Sequence, residues 1–390
     1  MPVDGPVVGS VLTDDGRAVG SAPARVGLLG NPSDGYGGRT LGLAVPAFRA
    51  TVEVEPADGF EIVALDDDLP RWDSLADLVD RIDRHGYGTG PQLLAATVRT
   101  LADVARSVEH RGFERFGCRI HYRTTIPRSV GLAGSSALVV AAIRAIGELT
   151  GLALPPPVLA SIALRVETDQ LGITAGLQDR VVQSIGGLVA MNFGEMDVDA
   201  RFGVTHGQYR ALDPSSLPRL FIAYREEAAE PSDGYHRRLR QRWEEGDATV
   251  RDTMHHLAGL AVEGEAALRW HDGARFAELL GQNMALRRLL GPLPDAQVAL
   301  VDAAERVGAP ATFAGSGGAV VGSNTDAEHL QRIAAEMAEL GAVVVPLSEA
   351  PDGPDDADDG EDVDGEEADG SSLAAVATLP LGDGAGLNRG

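Results

Sequence analysis

Residues 126–137 read IPRSVGLAGSSA and lead into an apolar stretch that predicts a helix. Glycines at 131 and 134 let the backbone approach an anion closely, because no Cβ stands in the way. Ser135 and Ser136 fall at the expected helix start, where unpaired N–H groups and the helix dipole favour negative charge. A serine hydroxyl there can also ligate Mg²⁺. A glycine turn with a serine N-cap uses the same residues, so the loop alone leaves both readings open. Transfer of a phosphoryl group also needs a carboxylate beside the acceptor hydroxyl, to orient it and take its proton. Asp179, just after Gly176 and at the expected start of a helix, is the best candidate, although a capping aspartate would look the same.

The charged composition narrows how such a site can work. All 33 Lys+Arg positions of the 390-residue chain are arginine. A Walker A loop, a protein-kinase nucleotide site and a Schiff-base enzyme each need a lysine, so all three are excluded. Phosphate must be handled by backbone N–H groups, arginine and metal. The net charge of −25 opposes nonspecific nucleic-acid binding and favours solubility. An acidic, lysine-free surface resembles that of halophilic proteins. The single cysteine, Cys118, allows neither an intrachain disulfide nor a cysteine zinc site. The nine histidines lack metal-ligand spacing. No apolar run reaches about 18 residues and no basic-then-apolar leader opens the chain, so a cytoplasmic protein without a membrane partner is expected.

These residues must be positioned by alternating strands and helices. Residues 1–21 are Gly- and Asp-rich and predict a flexible start. Strands are expected at Ala24–Leu29, Ala50–Val54, Phe60–Ala64, Arg119–Arg123, Leu188–Phe193 and Leu220–Ala223. Helical spacing marks Asp73–Ile82, Pro91–His110, Ala137–Thr150, Pro157–Gln170 and Gln178–Ser184. Residues 231–307 read as mostly helical, and Thr312–Gly322 interrupts them with glycines. A helix at Gln331–Leu340 and a strand at Ala342–Pro346 follow. The acid-rich stretch Asp352–Asp369 cannot bury apolar area and predicts disorder. The expected division is 1–21, 22–205, 206–349 and a tail at 350–390.

Pro127 with Gly131, Leu132, Ala133, Gly134, Ser135, Ser136 and Ala137 resembles the phosphate-binding loop of the GHMP kinase superfamily, with Ala133 where a glycine is usual. Pro23–Gly38 (PARVGLLGNPSDGYGG) resembles the N-terminal substrate motif of that superfamily. Ala314–Gly322 (AGSGGAVVG) resembles the glycine motif that closes over substrate and phosphates. The three motifs stand in this order, and the resemblance covers roughly residues 22–348. The narrower resemblance is to glucuronokinases, carried by RVGLLGNPSD, TIPRSVGLAGSSA, AGLQDRVVQSIGGL, Pro231–Asp233 and RQRWEEGD.

The resemblance implies an α+β fold, with a ribosomal protein S5-like N-terminal part and a ferredoxin-like C-terminal part. It implies ATP and Mg²⁺ as cofactors and transfer to the anomeric oxygen of glucuronate. Asp179 takes the catalytic-aspartate place, with Arg25 facing it. Glu167 and Ser136 take the metal place. Asn31, Ser33, Asp34, Tyr36, Gly315, Ser316, Gly317 and Gly318 fall to the substrate. Asp34 also suits plain turn chemistry within Asn-Pro-Ser-Asp-Gly. A substrate carboxylate would need a cation, for which Arg128, Arg180 and Arg39 are the candidates. The rival readings are the same fold with another acceptor (galactose, a heptose phosphate or an isoprenoid alcohol) and a non-catalytic sugar sensor.

Overall fold

The computed structural model describes residues 9–63, 71–87, 92–113, 116–225 and 233–347. In chain order the elements are β1 (Gly9–Leu12), β2 (Ala18–Leu29), β3 (Arg39–Pro56), β4 (Phe60–Val63), β5 (Arg71–Trp72), α1 (Leu75–His85) and α2 (Gln92–Ser107). Next come β6 (Cys118–Thr124), α3 (Gly134–Thr150), α4 (Pro156–Arg165), α5 (Gln178–Ile185), β7 (Leu188–Asp199), β8 (Val204–Leu212) and β9 (Leu220–Tyr224). The rest are α6 (Asp233–Glu244), α7 (Ala248–Arg269), α8 (Gly273–Leu289), α9 (Asp295–Arg306), β10 (Ala311–Phe313), β11 (Ala319–Ser323), α10 (Ala327–Glu339) and β12 (Val343–Pro346).

The strands form two sheets. In the larger, the order runs β1-β2-β3-β6-β4-β5, and β7 pairs with both β3 and β8. On its edge away from β2, the long strand β3 serves two neighbours: Arg39–Leu43 pairs with β7 and Ala50–Pro56 with β6. Strand β2 is buried along almost its whole length, because both of its faces are covered. Gly20 lies against Ala141 and Ala145 of α3, while Gly27 approaches Gln178 of α5. Helix α3 is apolar around most of its circumference and its interior residues are fully buried, as a core helix requires.

The second sheet has the order β10-β11-β9-β12, with each neighbouring pair antiparallel. With α10 between β11 and β12, and helices between β9 and β10, this is the ferredoxin-like arrangement expected. Phe221, Met284, Val301, Phe313, Val320 and Ile333 pack beneath it as a separate core.

Several sequence expectations are corrected. Residues 1–21 are not simply a frayed start: 9–12 and 18–21 are strand, paired Gly9↔Ser21 through Leu12↔Ala18. Their Gly/Asp content disguised a turn at 13–17, where the Thr13 and Arg17 backbones bond each other. The division placed between residues 205 and 206 falls inside β8, and the two sheets part later, between β8 and β9. Helix α1 begins at Leu75, because Ser74 caps it by accepting the N–H of Asp77 at 3.1 Å. Strands β10 and β11 occupy the glycine-rich stretch after residue 310. Ala64, Pro91 and the acidic tail at 350–390 lie outside the described residues.

Candidate active site

Arg25 projects from the interior of β2 with its side chain only 6 % exposed. Its Nε donates to Asp179 Oδ1 at 2.6 Å. Its Nη1 donates to the carbonyls of Gly131 at 3.0 Å and Ala314 at 2.8 Å. One guanidinium therefore joins the glycine loop, the start of α5 and the 314–318 glycine segment. Opposite charges at this distance attract, so the pair fixes the Asp179 carboxylate in place. Asp179 lies in the first turn of α5, is 17 % exposed and lines the cavity described below.

Asp34 determines where that helix begins. Its Oδ2 accepts the N–H groups of Leu177 and Gln178 at 2.7 and 3.2 Å, and the residue is 2 % exposed. It thus satisfies orphan donors at the N-terminus of α5. The turn that carries Asp34 is itself clamped from α8. Asn283 accepts the Gly30 N–H at 2.9 Å, and Arg287 donates to the Asn31 carbonyl at 3.4 Å. Asn31 in turn donates to the Gly315 carbonyl at 3.3 Å.

Glu167 and Arg180 form a buried pair, 1 % and 3 % exposed, with Arg180 Nε 2.5 Å from Glu167 Oε2. Arg180 also bonds the Gly176 carbonyl. Burial alone would lower the Arg180 pKa, but the attraction of Glu167, then of Asp179, outweighs it and the net shift is upward. The other Glu167 oxygen, Oε1, accepts from Ser135 Oγ at 3.0 Å. Sequence had paired Glu167 with Ser136. Ser136 is fully buried, and its hydroxyl turns back to the Ala133 carbonyl at 3.1 Å. Ser135 is the serine that meets the carboxylate. Hard oxygens from one carboxylate and one hydroxyl, completed by phosphates and water, suit Mg²⁺.

Glycine is required at 131, where φ is +79° and an added Cβ would stand 2.2 Å from the Gly317 carbonyl oxygen. Ala133 also has a left-handed backbone, φ 60° and ψ 45°, so the alanine at this loop position is strained.

These groups surround a cavity of about 660 Å³. Its lining includes Arg25, Asn31, Asp34 and Tyr36 from the first motif, and Pro127, Gly131, Leu132, Ala133, Gly134 and Ser135 from the loop. Glu167, Asp179, Gly315 and Ser316 also line it. Ser33, Ser136, Ala137, Gly317 and Gly318 stand behind that surface. Ser33 donates to the Arg39 carbonyl at 3.1 Å, and Gly317 and Gly318 pack against Gln297 and Val130. Of the three arginines proposed for a substrate carboxylate, Arg128 lines the cavity and is exposed. Arg180 lines it too but is engaged with Glu167. Arg39 lies in other grooves, beside Asn192. Sequence reasoning missed Arg240 as a cation of this cavity. Its segment RQRWEEGD was noticed, but nothing in it tells which arginine faces inward.

Residues 92–187 match the GHMP kinases N terminal domain, and 265–343 match the GHMP kinases C terminal domain. The chain belongs to the GHMP kinase family, ATP-dependent enzymes that phosphorylate a small-molecule hydroxyl. Within the family it is 37 % identical to Glucuronokinase 1 of Arabidopsis thaliana over 324 residues, 80 % of this chain and 87 % of that protein. It is 38 % identical to Probable glucuronokinase 2 of the same plant over 307 residues, 76 % and 82 % of the two chains. The fold matches the crystal structure of Methanococcus jannaschii mevalonate kinase with a TM-score of 0.63 at 17 % identity, over 84 % of this chain and 96 % of that one. No helix among the described residues is long and apolar enough to cross a membrane.

Proposed function

We propose that this kinase transfers the γ-phosphoryl group of ATP to the anomeric hydroxyl of glucuronate, giving ADP and glucuronate 1-phosphate. The observation that carries the catalytic part is the Arg25–Asp179 pair, 2.6 Å apart, in a cavity that the glycine loop also lines. The similarity to two glucuronokinases over most of the chain supports the acceptor.

In this reading the β- and γ-phosphates lie against the first turn of α3, where backbone N–H groups are free of intrahelical partners. Asp179 orients the anomeric hydroxyl and accepts its proton as the O–P bond forms. Arg25 holds the Asp179 carboxylate on the cavity wall. Glu167 and Ser135 would be oxygen donors for Mg²⁺, which would neutralise phosphate charge. Asp34 contributes by fixing the start of α5, and through it the place of Asp179. Gly315 and Ser316 line the cavity beside the glycine loop.

The test is an acceptor panel read by ADP release, with glucuronate, glucose, galactose and mevalonate at equal concentration and in several salt concentrations. The proposal expects the highest kcat/KM on glucuronate. Equal rates on glucose and glucuronate would remove the sugar-acid reading and leave the family assignment intact.

A further inference from the structure

An acceptor that carries a carboxylate must find a counter-charge, because an unpaired buried anion is costly. Four arginines line the cavity: Arg25, Arg128, Arg180 and Arg240. Arg25 is taken up by Asp179 and two carbonyls, and Arg180 by Glu167 and the Gly176 carbonyl. Arg128 and Arg240 have no carboxylate partner among the described residues.

The two lie on different segments. Arg128 follows Pro127 in the segment that runs into the glycine loop, the wall assigned to phosphate. Arg240 comes from α6 and reaches the turn that holds Asp34. Its guanidinium carbon stands 4.7 Å from the centre of the Tyr36 ring. One of its nitrogens lies 3.5 Å from where a side chain on Gly35 would begin.

The guanidinium is also preorganised. Tyr36 packs on Trp243, ring centres 4.9 Å apart, and Trp243 follows Arg240 by one turn of the same helix. Arg240 and Trp243 thus both contact Tyr36 from one helix. A guanidinium held over a ring can still present its N–H edge, and that edge matches a carboxylate with two parallel hydrogen bonds.

We propose that Arg240, held on Tyr36, is the specificity-determining residue that receives the carboxylate of the acceptor. This inference rests on the sugar-acid reading above. It adds a residue and a means of discrimination to that reading.

The test compares glucuronate with glucuronamide, its neutral counterpart at the same carbon. Wild type, Arg240→Met, Arg240→Lys and Arg128→Met are each measured for kcat and KM on both acceptors, with thermal unfolding recorded alongside. Wild type should favour glucuronate. Arg240→Met should lose roughly 100-fold in kcat/KM on glucuronate, mainly through KM, and stay within about threefold on glucuronamide. Arg240→Lys should restore part of the preference, and Arg128→Met should keep it. An Arg240→Met enzyme that retains the wild-type preference overturns the inference and leaves the proposed acceptor standing. So does a loss equal on both acceptors. If Arg240→Met does not fold, the lysine variant decides, since full preference there would deny any role to the planar fork. A wild type that shows no preference for glucuronate instead refutes the acceptor reading itself.

Discussion

At the scale of single residues, the account rests on which oxygen faces which cation. Asp179→Asn keeps the shape of the site and the Arg25 contacts to Gly131 and Ala314, but removes the proton acceptor. Its kcat should fall on the order of 1,000-fold while ATP binding, followed by calorimetry, survives. Turnover at the wild-type rate would refute the role given to Asp179. The two loop serines should separate just as clearly. Ser135→Ala should raise the Mg²⁺ concentration for half-maximal activity by about tenfold, whereas Ser136→Ala should leave it unmoved. The reverse order would return the metal place to Ser136. The family resemblance gives the metal place to Ser136, whereas in the structure the Ser135 hydroxyl is the one that meets Glu167. Adjacent residues on a helix point about 100° apart, and the choice depends on α3 starting at Gly134, not later. Glu167→Gln has a second consequence. It leaves Arg180 buried without its partner, so it should cost about 3–5 kcal/mol of stability.

At the scale of elements, the site is a set of helix starts and turns held in register. The glycine loop and the 314–318 segment touch at Gly131 and Gly317, and Arg25 bridges them. Ala133 departs from the glycine usual at its position, and its left-handed backbone carries the strain of a Cβ. Ala133→Gly should therefore stabilise the protein by about 1 kcal/mol, seen as a higher Tm. A lower Tm would mean that the Cβ packs favourably enough to offset the strain. The elements around the site were legible wherever apolar spacing was strong, as in α2, α3, α5 and β6. Strand β8 was not, because VTHGQYRAL has one solvent-facing side and few apolar residues. Strands β10 and β11 were hidden by the glycines between them. Asp34 suits both a sugar ligand and a turn residue, and its two N–H bonds to α5 add a structural part.

At the scale of the whole molecule, three ordered motifs made the superfamily legible, since chance seldom sets three such segments in sequence. What they could not convey is how distant residues meet. Tyr36 and Arg240 lie on opposite halves of the chain and come together only when α6 packs on the 33–36 turn. The net charge of −25 is a property of the whole chain as well. Self-repulsion at that charge weakens with screening, so Tm should rise as KCl increases from low to molar concentration. Removing residues 351–390 should reduce this salt dependence, because that stretch carries a dense run of Asp and Glu. A Tm that falls steadily with added KCl would contradict the electrostatic argument.

The central claim is that Asp179 and the glycine loop deliver a phosphoryl group to the anomeric oxygen of glucuronate. The most direct measurement is NMR of the product made by wild-type enzyme from ATP and glucuronate. The account predicts one new phosphate ester whose phosphorus couples to the proton on carbon 1, formed one for one with ADP and absent with Asp179→Asn. A phosphate on any other oxygen, or ADP released without a sugar ester, would contradict it.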